Sequence, residues 1–181
     1  MVCCLKVAVI GAGVSGLVTA RELLREGHRV VVYEKSNQLG GIWVYDPRTE
    51  SDPLGIDPNR ERVHSSLYFS LRTNTPRIFM GFSDYPLTDR GDPRNFPRHE
   101  EVLMFLKDFA KDFKLTEWIR FETEVVRVER VNSGDDEWVV ESRTSEGSGE
   151  EEFQAVVVCT GNYAEPLLAN LPGCGDDWKW T

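Results

Sequence analysis

Residues 6–35 read KVAVIGAGVSGLVTARELLREGHRVVVYEK, and this stretch decides the fold. Leu5 to Ile10 is a continuous apolar run, the pattern of a parallel strand covered on both faces. A helix follows from about Val14 to Glu26, with Leu17, Ala20, Leu23 and Leu24 at helical spacing and Gly27 as a left-handed stop. His28 to Lys35 forms a second strand. The unit is βαβ, with a crossover expected to be right-handed.

Gly11, Gly13 and Gly16 make a G-x-G-x-x-G turn between the first strand and the helix. Gly11 permits the tight turn, Gly13 lets the backbone approach a pyrophosphate, and Gly16 allows close packing of helix on strand. The helix N-terminus, entered through Ala12, Val14 and Ser15, offers free N–H groups and a partial positive charge to phosphates. Glu34, followed by Lys35, closes the second strand roughly twenty residues on, where an acid can accept hydrogen bonds from both ribose hydroxyls. The same charge repels a 2′-phosphate, which makes NADP a poor candidate for this loop.

FAD and NAD both satisfy that pattern. NQLGGIWVYDP then brings Gly40, Gly41, Ile42 and Trp43 just past the second strand. In flavoproteins of the glutathione-reductase type, a G-G-x-W stretch runs along the pyrophosphate and ribityl chain; paired glycines permit backbone approach and an aromatic covers the rings. VVVCTGNYAEP supplies the turn with which such sheets end near the flavin, at Cys159, Thr160 and Gly161. FAD is the better expectation.

The rest of the chain is less regular. Ser36 to His99 is rich in Pro, Gly, Asp, Asn and Arg and keeps no period, so it reads as one long loop, a feature that is often functional. Glu101 to Phe113 is an amphipathic helix with Val102, Phe105, Leu106, Phe109 and Phe113 on one face. Ile119 to Val131 alternates as a half-buried strand. SGDD turns the chain into EWVVESR, and EGSG turns it again into EFQAVVVCTG, a β-meander ending in a buried strand from Ala155 to Cys159. The tail, NLPGCGDDWKWT, is loop-like and ends on exposed aromatics.

With 181 residues, 40% hydrophobic and 28% charged, the composition is that of one folded domain. A net charge of −9 argues against nucleic acid as a partner. The acidic residues Asp135, Asp136, Glu150, Glu151 and Glu152 read as solvated turns and strand ends. No apolar run reaches membrane-spanning length, and the N-terminus reads as a core strand rather than a signal peptide. Cys3, Cys4, Cys159 and Cys174 lack metal-binding spacing, so no metal is expected. Those in strands behave as small hydrophobes. A reducing, cytoplasmic setting follows.

Four stretches together resemble the plant branch of the flavin-containing monooxygenases: VIGAGVSGL, GGIWVYDP, SLRTNTPRIFMGFSDYPL and FPRHEEVLMFL. Among plant members the chain is most similar to the glucosinolate S-oxygenases, which convert a methylthio side chain into a methylsulfinyl one. The resemblance implies an α/β, Rossmann-type, glutathione-reductase-like FAD-binding domain with a β-meander. It implies FAD as cofactor, NADPH as reductant, and oxygenation of a small thioether or amine. The cofactor carries that chemistry, so few acid–base side chains are expected. Asn74 matches the family's Thr-Asn position beside flavin and nicotinamide, with Thr73 and Thr75 as neighbouring contacts; from the residues alone, an Asn just before Pro76 is an ordinary turn residue.

His64 and His99 are set aside as bases, His99 reading as a capping or solvated residue before a helix. Arg72, Arg77, Arg94 and Arg98 could meet an anion, but internal ion pairs are the commoner role. The 181 residues hold one G-x-G-x-x-G and no F-x-G-x-x-x-H, so the family's NADPH-binding domain is absent from them. The expectation is the N-terminal part of an FAD domain, residues 1–181, incomplete relative to the family and open to self-association through an incomplete sheet. Two alternatives remain: a flavin-binding or interaction module without catalysis, and an NAD-binding Rossmann domain, which GGIWVYDP and CTG disfavour.

Overall fold

Both faces of strand β1 (Lys6–Ile10) are covered. Successive strand side chains point to opposite faces, and Val9 belongs to one apolar cluster while its neighbour Ala8 belongs to another. The computed structural model describes residues 4–52, 57, 59, 63–88, 92–131 and 137–162. β1 pairs in parallel with β2 (Arg29–Tyr33) on one side, Val9 opposite Val32, and with β7 (Ala155–Val158) on the other, Val9 opposite Val157. A short β3 (Ile119–Arg120) extends the sheet beyond β2, giving the order β3-β2-β1-β7. β7 is an edge, and its Val158 is 67% exposed.

α1 (Val14–Arg25) connects β1 to β2 and stops at Gly27, whose φ of 83° is the left-handed value expected there. α1 and α3 (His99–Asp112) close one side of the sheet. Leu17 and Ala20 of α1 and Phe105, Leu106 and Phe109 of α3 are buried with Val9, Val30 and Val32. On the other side lies the meander of β4 (Glu124–Arg130), β5 (Trp138–Thr144) and β6 (Gly147–Phe153), in antiparallel order. Its Val140 and Phe153 bury against Ala8 and Tyr33, with the Tyr33 and Phe153 rings edge-on at 6.1 Å.

The stretch read as one alternating strand, Ile119 to Val131, and the run EFQAVVVCTG, read as the end of the meander, are each divided between the two sheets. Ile119 to Val131 divides into β3 and β4 at a turn where Glu122 takes φ 52°. The run after Glu152 divides at Gln154, which donates its N–H to the Lys6 carbonyl (3.0 Å) and accepts the Lys6 N–H on its side chain (2.8 Å). β6 thus ends at Phe153 and β7 begins at Ala155. A period of two cannot report this, because alternation continues when a strand changes partners. The EGSG turn is likewise displaced: the turn is Ser145–Glu146, and Gly147 and Gly149 lie in β6.

Glu151 is not a solvated strand end. Its carboxylate accepts the Tyr33 hydroxyl (3.0 Å), pairs with Lys6 (3.0 Å) and is gripped by Arg120, tying the meander to the parallel sheet. Burial pushes this carboxyl up, but the hydrogen bonds from Arg120, Lys6 and Tyr33 outweigh it and hold the group at about 2. Burial, then the Glu151 charge, raise the Tyr33 phenol well above its ordinary range. Glu150 also has a partner, Arg127 at 3.0 Å. Cys4 is exposed rather than packed as a hydrophobe, while Cys3, Cys174, Asp135, Asp136 and the tail lie outside the described residues.

The region read as one long loop contains a short helix, α2 (Arg48–Ser51), and 3-10 turns at Gly41–Trp43 and Arg77–Phe79. Arginine holds its second half in place. Arg77, 9% exposed, donates to the carbonyls of Thr88 (3.3 Å), Asp92 (2.9 Å) and Arg94 (3.2 Å) and lies 2.8 Å from Glu101 Oε2 in the first turn of α3. That carboxylate oxygen is held by charge, the guanidinium being close but off the hydrogen-bonding direction. Arg72 and Arg94 both pair with Asp92, and Arg98 pairs with Glu100, so the four arginines that could have met an anion, Arg77 among them, are each engaged within the chain. α3 starts earlier than expected, at His99. That residue is neither capping nor solvated: its ring is buried, Nε2 lies 3.2 Å from the Phe69 carbonyl, and Glu101 accepts the Arg98 N–H that opens the helix.

Candidate nucleotide-binding site

The sheet's strand ends and the start of α1 leave a cavity of about 390 Å³. Its floor is the glycine loop, and sterics explain the residue choice. A β-carbon on Gly16 would stand 1.8 Å from the Gly11 carbonyl oxygen, so only glycine lets α1 begin this close to the turn. Gly13 precedes the first helical residue, Val14; its carbonyl accepts the Leu17 N–H (3.0 Å). No side chain caps α1, and no acid sits in its first turn. Among the described residues the leading N–H groups of Val14, Ser15 and Gly16 therefore have no capping acceptor, and no acid offsets the helix dipole where Val14 and Ser15 line the cavity.

A second loop folds onto the first. Gly40 donates its N–H to the Ala12 carbonyl (3.0 Å), and Gly41, at φ 55°, sits so near Gly13 that a β-carbon there would be 3.0 Å from the Gly13 Cα. Gly41 and Ile42 join Gly11 and Gly13 in the cavity lining. Trp43 does not; it packs against the main apolar cluster.

Glu34 is 7% exposed and reaches the cavity from the end of β2. Its Oε2 accepts the Ala12 N–H (2.8 Å), and its Oε1 accepts the backbone N–H (2.9 Å) and hydroxyl (2.8 Å) of Ser36. A carboxylate has about four acceptor positions, so roughly one is left, on Oε2, for a further donor. That is fewer than the two ribose hydroxyls expected from sequence. The three bonds lock the carboxylate against the glycine loop.

Of the residues singled out by sequence, Gly11, Gly13, Val14, Ser15, Glu34, Lys35, Gly41, Ile42, Thr160 and Gly161 converge on this cavity. Ala12 and Gly16 stand behind it as buried support. Thr73, Asn74 and Thr75 are not among its lining residues. Thr73 is buried with its hydroxyl on the Thr75 carbonyl (2.8 Å), and Asn74 and Thr75 are exposed. The cavity also gathers residues sequence reasoning passed over: Tyr33 from β2, His64, and Thr123, Glu124 and Val125 at the start of β4. Nothing in the local pattern around residues 123–125 marks them, since they reach the site only when the meander folds under the sheet.

Residues 4–176 match the family model described as flavin-binding monooxygenase-like. The chain belongs to that family. Flavin-containing monooxygenase FMO GS-OX3 of Arabidopsis thaliana is 56% identical over 173 residues, covering 92% of this chain and 37% of the relative. FMO GS-OX5 of the same plant is 54% identical over 181 residues, covering 96% and 39%. Among solved structures, S-allyl-L-cysteine S-oxygenase from Allium sativum superposes with a TM-score of 0.85 at 51% identity, covering 94% of this chain and 39% of that one. Tmm from Pelagibacter sp. strain HTCC7211 gives 0.72 at 27% identity, covering 91% and 38%. The 181 residues thus span well under half the length of these family members. Among the described residues, no helix is long and apolar enough to cross a membrane.

Proposed function

We propose that this chain binds FAD in the cavity beside the glycine loop, as the N-terminal part of an FAD domain in a monooxygenase that uses NADPH and oxygenates soft sulfur or nitrogen. The observation that carries this reading is the convergence of an uncapped helix N-terminus, a glycine loop and a locked acid on one cavity. Those donors and that acceptor suit the two ends of a nucleoside diphosphate. The N–H groups of Val14, Ser15 and Gly16, with the Lys35 cation nearby, hold the diphosphate. The remaining acceptor position of Glu34 takes one ribose hydroxyl. Gly13 and Gly41 keep side chains away where the ligand must lie close to the backbone. Thr160 and Gly161 border the same cavity. FAD, when bound, supplies the electron transfer and oxygen chemistry.

Relatives named as GS-OX monooxygenases and a structural neighbour named as an S-oxygenase of S-allyl-L-cysteine support a thioether substrate. Methylthioalkyl glucosinolates, converted to methylsulfinyl products, are the specific proposal, in the cytoplasm. Asn74 is assigned to the flavin–nicotinamide side, where an amide donates and accepts without changing charge.

One feature favours a second reading, a flavin-binding module without turnover of its own: Asn74 is exposed and is not among the residues that line the cavity. Visible absorption of the purified chain, with Gly13→Val as control, tests the first step. A flavin spectrum lost in the variant supports FAD binding, and a colourless, folded wild-type chain refutes it. NADPH-dependent oxygen uptake with a thioether then separates the two readings.

A further inference from the structure

The chain has three histidines, and two serve the fold. His28 Nδ1 accepts the Leu5 N–H (3.2 Å), and His99 Nε2 meets the Phe69 carbonyl (3.2 Å). His64 is different. It lines the cavity, is half-buried, and makes no hydrogen bond to a described residue. Its position is set by its neighbours. Val63, Ser65 and Leu67 are buried, and the Ser65 hydroxyl donates to the Ile42 carbonyl (3.1 Å) in the turn that borders the same cavity. An imidazole held there with no hydrogen-bond partner among the described residues has polar capacity to give to a ligand.

The surrounding charges set its protonation. Lys35 and Glu34, with the Tyr33 phenol, come from the end of β2; Glu124 comes from the start of β4, and Cys159 from the end of β7. Burial first, then the Lys35 charge, push the imidazole below its ordinary range, and Glu34 only partly opposes them. The ring is therefore neutral at pH 7 in the ligand-free chain. A diphosphate diester brings two negative charges into the cavity, which offset the repulsion from Lys35 and favour the imidazolium.

We propose that His64 is a nucleotide-binding residue that contacts bound FAD as a cation, so that FAD binding takes up a proton. This rests on the FAD reading of the cavity and deepens it. By linkage, the group whose proton affinity rises on binding strengthens binding at low pH, and the gain disappears as pH rises through the bound-state value. Because FAD raises the proton affinity of the imidazole, its affinity for the chain falls severalfold between pH 6 and pH 8.

Titration calorimetry of the chain with FAD, in two buffers of different ionisation enthalpy, measures the proton directly. Proton uptake is expected for wild type, and none for adenosine, which carries no phosphate. His64→Gln should remove the uptake and flatten the pH dependence, leaving binding severalfold weaker at pH 6 and near wild type at pH 8. His64→Lys, a fixed cation at the same place, should bind FAD at pH 8 at least as well as wild type and take up no proton. FAD binding without proton uptake, or an unchanged pH slope in His64→Gln with circular dichroism like wild type, overturns the role of His64 alone. No FAD binding by wild type at any pH overturns the cavity reading as well.

Discussion

The glycine-loop corner and the segment from Thr73 to Arg98 sit on the same sheet-and-helix scaffold but are held by different means. The first is held by backbone and sterics: Gly16 against the Gly11 carbonyl, Gly41 against Gly13, and the Glu34 carboxylate on the Ala12 N–H. The second is held by long side chains reaching over sequence gaps, with Arg77 spanning three carbonyls and a carboxylate. Ile78 and Phe79, beside that arginine, are 78% and 73% exposed. Close backbone contact tolerates no added atom, whereas a clamp fails when one group is removed and leaves its neighbours standing. The first region should therefore unfold with the whole domain, and the second by itself.

The largest expected effect is at the corner. Gly16→Ala forces a methyl group onto the Gly11 carbonyl, and the helix must move off the strand. A loss of at least about 3 kcal/mol in urea unfolding is expected, along with loss of flavin retention. Arg77→Met comes next. It leaves the Glu101 carboxylate, whose Oε2 is buried, without its paired guanidinium, at a cost of about 2–3 kcal/mol. That loss should appear as proteolytic cleavage confined to residues 73–98 while the rest of the chain stays folded. Adding Glu101→Gln should recover part of the loss by removing the stranded charge. If Arg77→Met lowers the global midpoint as far as Gly16→Ala does, the two regions form one cooperative unit and the contrast fails.

Glu151→Gln is the smallest of the three, about 1 kcal/mol, because the carboxylate and its partners are partly solvated. It also has a pH signature. The folded-state carboxyl titrates at about 2, below the ordinary range, so its contribution is full above about pH 5 and lost as pH falls toward 2. Urea midpoints of wild type and variant should differ at pH 7 and converge in acid. A constant difference would mean that the Glu151 charge does not tie the meander to the sheet.

The βαβ unit was legible in the sequence because its signals are local. An apolar run, a glycine turn and a helical period lie within thirty residues, and their backbone consequences do not depend on what surrounds them. Most of the glycine loop, Glu34 and Lys35, and the Gly41–Ile42 turn were readable for the same reason, and all meet at the cavity. His64 was visible but set aside, since one histidine in an irregular stretch carries no period and its meaning lies in what faces it.

By itself the sequence determined the parallel strands, the stop at Gly27, the amphipathic face of α3 and the family. Each depends on spacing along one segment or on the identity of a motif. Only the tertiary structure decided that the strand after Phe153 changes sheets at Gln154, that Glu151 binds the two sheets together, and that Thr123 to Val125 share a cavity with Gly13. It also decided that Glu34 has spent most of its acceptor capacity on Ala12 and Ser36. Those outcomes rest on which distant groups compete for the same hydrogen bond or the same space, and a competition between partners is settled only when both are brought together.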